Sequence, residues 1–144
     1  MSAIVRQAVR EDIPAMHRLR LAVLENRRAS PDVTEAAYLP AIEGTGRGWV
    51  IDVDGEVVAF AIGNKQTGNI WALFVDPKCE GCGHGRRLLE VMMSWLFSVG
   101  VARAWLSTEP NTRAQNFYEA AGWTYKGKLS NGEASYELRN PGAP

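Results

Sequence analysis

The sequence predicts a mixed α/β domain in which a glycine-rich turn joins an apolar strand to an amphipathic helix. Three observations favour this fold class. The run from Ile70 to Val75 is apolar and rich in residues that favour strands. Gly81, Gly83 and Gly85 follow it in a turn, and beyond them apolar residues recur at helical spacing. Short alternating runs on either side of this stretch predict further strands.

The other elements follow from periodicity and from turn signals. Asp54-Gly55 is a hairpin signal, Asp12 is the expected cap of the first helix, and residues 44–48 are expected to form a flexible link. The predicted elements are a strand over 4–9, helices over 13–25 and 36–42, strands over 48–53, 56–64 and 70–75, a helix that follows Gly85 and ends before Gly100, a strand over 102–108, a helix over 113–121, and strands over 123–129 and 134–138. The predicted order is β-α-α-β-β-β-α-β-α-β-β.

The glycine turn predicts a phosphate-binding site, because backbone N–H groups and a helix N-terminus point out of such a junction. A P-loop is excluded, since no Gly-Lys-Ser/Thr follows the turn. The dinucleotide fingerprint also fails, because Arg86 stands where its third glycine belongs. The turn is therefore expected to bind a phosphate-bearing ligand other than those of P-loop and dinucleotide-binding proteins.

The pattern V-x-P-x-x-x-G-x-G-x-G-x-x-L-L over residues 75–89 resembles the acetyl-CoA motif of the GCN5-related N-acetyltransferase (GNAT) family. In that family the loop holds the pyrophosphate of coenzyme A. A structural glycine turn in an unrelated α/β domain is the alternative. Glu80 departs from the pattern, because the family usually has Gln or Arg there, and a carboxylate beside a pyrophosphate is unfavourable unless it turns to solvent. Arg86 and the loop N–H groups are expected to compensate.

A second motif, N-x-x-A-x-x-F-Y-E-x-x-G-W over residues 111–123, also resembles this family, with Trp123 in place of the usual Phe. Asn111 is expected to cap the following helix or to bind the cofactor. Ala114 is small enough for close approach of a ligand. An aromatic pair packed on the sheet is the alternative for Phe117 and Tyr118. The two motifs stand in the right order, which strengthens the resemblance.

The resemblance implies one N-acetyltransferase domain over residues 1–144, with a mostly antiparallel mixed sheet and helices on both of its faces. The strands over 70–75 and 102–108 are expected to be parallel and to splay apart, with the cofactor arm between them. The expected acetyl-CoA-binding residues are Leu73, Phe74, Val75, Gly81, Cys82, Gly83, His84, Gly85, Arg86, Asn111, Ala114 and Phe117.

The implied reaction moves an acetyl group from acetyl-CoA to a primary amine of a small molecule or peptide in a ternary complex. By family analogy Tyr118 is the candidate general acid. Some relatives place a catalytic Glu where this chain has Leu106, so Glu109 is the candidate base, with Ser107 or Thr108 through water and Glu25 as alternatives. Glu25, Asp32 and Tyr38 are the candidate acceptor-binding residues. A non-catalytic acyl-CoA-binding or regulatory domain is the alternative function.

The amino-acid composition indicates which partners other than acetyl-CoA and the acceptor are expected. Sixteen basic and sixteen acidic residues give a formal net charge of zero, so no nucleic acid is expected. No apolar run is long enough to span a membrane, and we expect a cytoplasmic protein without a membrane partner. A homodimer is expected, although the sequence leaves the oligomeric state open. Cys79 and Cys82 form a single C-x-x-C, so no metal is expected and a redox or metal sensor is a minor alternative.

Overall fold

The computed structural model describes residues 2–25 and 33–142, and its elements follow the predicted order. They are β1 (Ala3–Gln7), α1 (Ile13–Glu25), α2 (Tyr38–Glu43), β2 (Gly46–Val53), β3 (Glu56–Asn64), β4 (Ile70–Val75), α3 (His84–Ser98), β5 (Arg103–Thr108), α4 (Arg113–Ala120), β6 (Thr124–Lys128) and β7 (Ala134–Arg139). Short 3-10 turns lie over residues 10–12, 35–37 and 77–79. No helix among the described residues is long and apolar enough to cross a membrane.

Two antiparallel sheets make up the strand layer. The first has the order β1-β2-β3-β4 and the second the order β5-β7-β6. The predicted splayed pair is confirmed: β4 and β5 meet through one parallel bridge, Asn69 to Trp105, and then belong to different sheets. The Trp105 backbone N–H donates to the Gly68 carbonyl at 2.9 Å, and its indole Nε1–H donates to the Thr67 carbonyl at 3.1 Å. These bonds fix the point from which the two strands diverge.

Helices cover both faces of the first sheet, as predicted. α3 packs on one face through Leu88, Met92 and Leu96, all of which are fully buried. α1 and α2 cover the other face through Met16 and Tyr38, which are also fully buried. The inner face of the second sheet joins the α3 side of the core. Apolar residues at helical spacing and alternating strand positions therefore meet in two buried clusters.

Of the two local signals, the hairpin turn at Asp54-Gly55 is confirmed and the helix cap at Asp12 is wrong. Asp54 (φ 51°) and Gly55 (φ 89°) both adopt the left-handed conformation, as a two-residue hairpin turn requires. Asp12 does not cap α1. It lies in the preceding 3-10 turn, where its carboxylate accepts the Val9 N–H at 2.8 Å and pairs with Arg6 at 2.8 Å. Burial raises the pKa of Asp12, but these hydrogen bonds outweigh it and hold the pKa below its usual value.

The expected flexible link over residues 44–48 is wrong, because β2 begins at Gly46 and pairs there with Asn64 of β3. A Cβ at Gly46 would lie 1.9 Å from the Gly63 carbonyl oxygen and 3.0 Å from that of Ala41. Glycine is therefore required here by close backbone approach, which the sequence does not reveal.

We predict that Gly46→Ala lowers the free energy of unfolding by about 3 kcal/mol, because the new methyl group would meet backbone atoms that cannot move aside. Urea denaturation measures this loss. Gly55→Ala is the matched control. Its Cβ would meet no atom within 4 Å, so only the left-handed backbone, φ 89°, opposes it and the loss should be about 1 kcal/mol. Equal losses in the two variants would contradict the role of close approach at Gly46.

Candidate active site

The divergence of β4 and β5 opens a cavity of about 780 Å³. Every residue of β4 lines it, and so do residues 106–109 at the end of β5. Within the described chain β4 pairs only with β3, so the backbone groups on its other edge have no strand partner. Backbone groups alternate between the two edges of a strand, and the Asp76 N–H donates to the Val58 carbonyl of β3 at 2.9 Å, so the backbone groups of Leu73 and Val75 face the free edge while those of Phe74 face β3. The predicted contact of these three residues with the cofactor stays a prediction. An extended ligand can hydrogen-bond to such an edge as an added strand does.

The glycine loop closes one end of the cavity. Gly81 and Gly83 both adopt φ 82°, and a Cβ at either would meet no atom within 4 Å. Gly83 is the residue that precedes the first turn of α3, and no side chain among the described residues caps that helix. The first-turn N–H groups therefore lack a side-chain acceptor, and the open space at the glycines suits a bound anion. Gly85 differs, because its Cβ would lie in ordinary contact with Phe117, 3.5 Å away.

His84 and Arg86 line the cavity beside this loop. His84 is only 8% exposed, and its Nδ1 is buried without a hydrogen-bond partner in the described part of the chain. An unpartnered buried nitrogen is costly unless a ligand reaches it. Cys82 is exposed and lies outside the cavity lining, so its predicted contact with the cofactor stays a prediction.

Glu80 does line the cavity, but its charge is paired. Its Oε2 lies 2.5 Å from Nη1 of Arg113, the first residue of α4. Arg113 is therefore a neutralising partner of Glu80 that the sequence analysis did not name, and the expected compensation by Arg86 and the loop N–H groups stays a prediction. Both side chains remain substantially exposed, so this pair adds little stability, but it offsets the negative charge near the loop.

The two cysteines of the loop are free thiols. Burial, followed by the nearby Asp76 carboxylate, raises the pKa of the Cys79 thiol, which is the opposite of what a reactive thiolate needs. Residues 2–25 and 33–142 contain no group of three side chains of the types that hold metals. These observations do not favour the sensor alternative.

Tyr118 lines the cavity from α4 and is only 7% exposed. Its ring packs edge-on against Phe117 at 5.1 Å and Trp123 at 5.6 Å, and tilted against Tyr136 at 6.4 Å. Burial raises the pKa of the Tyr118 hydroxyl, so this group stays protonated at neutral pH. The ring is thus both a core aromatic and a cavity residue.

A hydrogen-bonded chain fixes α4 against the second sheet. The Gln115 side-chain amide donates to the Tyr136 hydroxyl at 2.7 Å, and that hydroxyl donates to the Glu119 carboxylate. Tyr136 is fully buried on β7, so α4 is held at two points one turn apart. Ala114 and Phe117, on the same helix, line the cavity, and their predicted contact with the cofactor stays a prediction.

Asn111 does not cap α4, because the residue that precedes the helix is Thr112. Asn111 is exposed with φ 60°, and its backbone N–H donates to the Gln115 side-chain oxygen at 2.5 Å. It lies outside the residues that line the cavity. Its proposed role in cofactor binding stays a prediction.

Two carboxylates line the cavity on the side of the second sheet, Glu109 and Glu133. Glu133 accepts a hydrogen bond from the Ser107 hydroxyl at 2.8 Å. Ser107 and Thr108 also line the cavity, as does Leu106. Glu133 is absent from the sequence-based candidates, because only the pairing of β7 with β5 brings it to Ser107.

The acceptor-binding candidates have different outcomes. Tyr38 is fully buried and does not line the cavity, so its predicted contact with the acceptor is corrected to a supporting one. Its hydroxyl lies 3.2 Å from His17 Nδ1, and its ring packs edge-on against Trp71 at 5.2 Å. Glu25 ends α1, but its side chain lies outside the described part, and so does all of Asp32.

Arg20 lines the cavity from α1 and was missed by the sequence analysis. Its guanidinium carbon lies 5.0 Å from the centre of the Trp71 ring and 5.1 Å from that of Phe74. The available signal was its position, since it stands beside Leu19 on the apolar stripe of α1, where a charged residue is unusual.

The comparisons with known proteins agree with this geometry. The family model described as the Acetyltransferase (GNAT) family matches residues 6–123. The chain is 35% identical over 82 residues to a mycothiol acetyltransferase of Beutenbergia cavernae, covering 53% of this chain and 28% of that protein. The matched part therefore spans less than a third of that relative's length.

Solved structures share the fold. An N-acetyltransferase from Staphylococcus aureus Mu50 has a TM-score of 0.84 at 20% identity, covering 97% of this chain and 99% of that chain. N-acetylglutamate synthase from Neisseria gonorrhoeae, complexed with coenzyme A and N-acetyl-glutamate, has a TM-score of 0.78 at 20% identity over 96% of this chain and 35% of that chain. Because the family model spans both the glycine loop and the α4 motif, the chain belongs to the GNAT family of acetyltransferases.

Proposed function

We propose that this protein is an N-acetyltransferase that moves an acetyl group from acetyl-CoA to a primary amine of a small molecule or peptide in a ternary complex. The observation that carries the proposal is one cavity that joins an uncapped helix N-terminus, an unpaired strand edge and a buried, protonated tyrosine. Membership of an acetyltransferase family supports the same reaction class.

The residues present fit acetyl-CoA. The open glycine positions, the free first-turn N–H groups and the unpartnered His84 nitrogen suit its phosphates, with Arg86 beside them. The free edge of β4 suits an amide-bearing arm, because it offers backbone donors and acceptors in the strand register. When bound, acetyl-CoA supplies an activated acetyl thioester, so that the reaction exchanges a C–S bond for a C–N bond.

The acceptor amine must lose a proton before it can attack. An amine with a pKa near ~10.4 is more than ~99.9% protonated at pH 7, so a proton acceptor in the cavity is needed. We assign this role to Glu109, which lines the cavity at the end of β5. Glu133, hydrogen-bonded to Ser107, is the alternative acceptor that the structure adds.

Two further groups serve the later part of the reaction. Of the backbone N–H groups near Phe74 and Val75, that of Val75 faces the unpaired edge of β4 and can stabilise an oxyanion. Tyr118 lines the cavity, and we assign its hydroxyl as the proton donor to the leaving sulfur, because its raised pKa keeps the proton in place at neutral pH. A general acid of this kind typically contributes about 10²- to 10⁴-fold to the rate.

Cofactor binding at the glycine loop is tested by Gly83→Ala. Acetyl-CoA at about 100 times its dissociation constant should stabilise the parent protein by about 2.7 kcal/mol. The variant should lose most of this stabilisation, because the new methyl group enters the space left open for the phosphates. Melting temperature with and without acetyl-CoA measures the effect.

The matched control for that experiment is Gly100→Ala. Gly100 also adopts a left-handed backbone, φ 97°, with no atom within 4 Å of a Cβ, but it follows the far end of α3. Both variants should lose a similar amount of intrinsic stability, and the control should keep its response to acetyl-CoA. A parent protein that does not respond to millimolar acetyl-CoA would rule out the proposed site.

Tyr118→Phe tests the proposed acid. The ring contacts are kept, so stability should change by about 1 kcal/mol or less, and acetyl-CoA affinity should be nearly unchanged. We expect kcat to fall by about two orders of magnitude. Measurements of kcat, cofactor affinity and melting temperature on the one variant separate this outcome from a purely structural role, in which kcat stays within about threefold of the parent.

The pH profile adds an independent check on Tyr118. Because burial raises its pKa above the ordinary value, its proton should not be lost below pH 10, and kcat of the parent should show no fall due to Tyr118 up to that pH. A fall in kcat near pH 10 that disappears in Tyr118→Phe would show that the Tyr118 pKa is ordinary and would contradict its raised pKa, although the acid role would stand.

The proton acceptor is identified by comparing Glu109→Gln with Glu133→Gln. We expect Glu109→Gln to lower kcat/KM by about 10²-fold at pH 7 and by much less at pH 10, where more of the amine is already neutral. Steady-state assays at the two pH values measure this. If Glu133→Gln shows the pH-dependent loss and Glu109→Gln does not, the acceptor is Glu133. If neither variant shows it, the role of both carboxylates is refuted.

A further inference from the structure

One cation in the cavity has no role in the reaction described above. The guanidinium of Arg20 lines the cavity, and its Nε and Nη1 atoms are buried without a hydrogen-bond partner in the described part of the chain. Leaving buried polar donors unpaired is unfavourable, and more so for a charged group. A ligand that supplies acceptor oxygens would satisfy these donors.

A β-bulge in β4 positions the aromatic ring of Trp71, which contacts this guanidinium. Gly63 pairs with Ile70 and Ile62 pairs with Ala72, so Trp71 is an extra residue on β4. The bulge places Trp71 on the same side of the sheet as Phe74, and Tyr38 supports its ring edge-on at 5.2 Å. The Arg20 guanidinium carbon lies 5.0 Å from the Trp71 ring centre and 5.1 Å from that of Phe74.

Contact with these rings does not satisfy the Nε–H and Nη1–H groups. Rings attract the charge of a guanidinium, whereas its N–H donors lie in its own plane and need oxygen acceptors. A planar fork of donors held by aromatic rings matches a carboxylate, which accepts two parallel hydrogen bonds.

Arg20 is also separate from the phosphate-binding loop. Leu73 and Val75 belong to the core cluster on the α3 side of the first sheet, and the glycine loop leads into α3. Phe74 and Trp71 belong to the cluster on the α1 side, where Arg20 lies. The loop that suits the cofactor phosphates and the Arg20 guanidinium therefore lie on different sides of the first sheet. Because the phosphates have a separate site, the acceptor is the source of an anion for Arg20.

We propose that the acceptor carries a carboxylate as well as an amine, and that Arg20 binds the carboxylate. Glu109 and Glu133 line the same cavity from the second sheet, so the cavity presents one cation from α1 and two carboxylates from the opposite sheet. This charge arrangement complements a zwitterion such as an amino acid. The inference rests on the proposed N-acetyltransferase function and names its substrate class.

The test compares matched acceptors that differ only in the carboxylate. Free amino acids and their carboxamides are assayed with acetyl-CoA, and the ratio of kcat/KM for acid over amide is taken for each enzyme. The parent should favour the best amino acid over its amide by at least about tenfold. Arg20→Met keeps an apolar stem against the two rings, and the acid-to-amide ratio should fall at least about tenfold, mainly through KM of the acid.

Arg18→Met is the matched control, because Arg18 is an exposed residue of the same helix that does not line the cavity. It should leave the ratio unchanged. Arg20→Lys should keep part of the preference, since the charge remains and the planar fork is lost. Melting temperature and acetyl-CoA affinity of each variant verify that the fold and the cofactor site are intact.

The outcomes separate the two proposals. If amines are acetylated but the parent does not distinguish acid from amide, or if the preference survives in Arg20→Met, the assignment of Arg20 is overturned while the N-acetyltransferase function stands. If neither series is acetylated although acetyl-CoA binds, the carboxylate-bearing substrate class is overturned. The proposed N-acetyltransferase function fails as well only if other primary amines and peptides are also not acetylated.

Discussion

The divergence of β4 from β5 after a single bridge is the constraint on which the site depends. Hydrogen bonds from Trp105 to the carbonyls of Thr67 and Gly68 hold the two strands together at one end. Beyond that point each strand follows its own sheet, and the inner face of the second sheet turns its side chains into the same core as α3. A continuous sheet would leave no free edge on β4. The separation thus creates the cavity and exposes backbone donors and acceptors along one wall of it.

Aromatic packing makes both walls of this cavity firm. On the α4 side, Tyr118 is wedged between Phe117, Trp123 and Tyr136, so its hydroxyl is placed by the core itself. On the α1 side, Tyr38 supports Trp71, and that ring in turn lies against Arg20. Side chains held in this way lose little conformational freedom when a ligand binds, which favours affinity and orientation.

Positive and negative groups lie on different walls of the cavity, although the sequence has no net charge. The glycine loop contributes backbone N–H groups, and Arg86 lies beside them. The negative charge of Glu80, in the same loop, is offset by its ion pair with Arg113. That pair also joins the loop to the first residue of α4. Acidic groups lie on the wall formed by the second sheet, and one guanidinium lies on the wall formed by α1. Net charge alone could not reveal this separation.

The sequence by itself determined the order of helices and strands, the glycine loop and the place of Tyr118 on α4, because hydrophobic periodicity and turn residues act over a few neighbouring positions. Only the tertiary structure decided which side chains meet. The pairing of Glu80 with Arg113, the contact of Ser107 with Glu133, and the stacking of Arg20 on Trp71 each join distant parts of the chain. The need for glycine at position 46 and the bulge at Trp71 likewise depend on how neighbouring strands approach each other. Such contacts arise from packing between elements, and local sequence patterns therefore do not predict them.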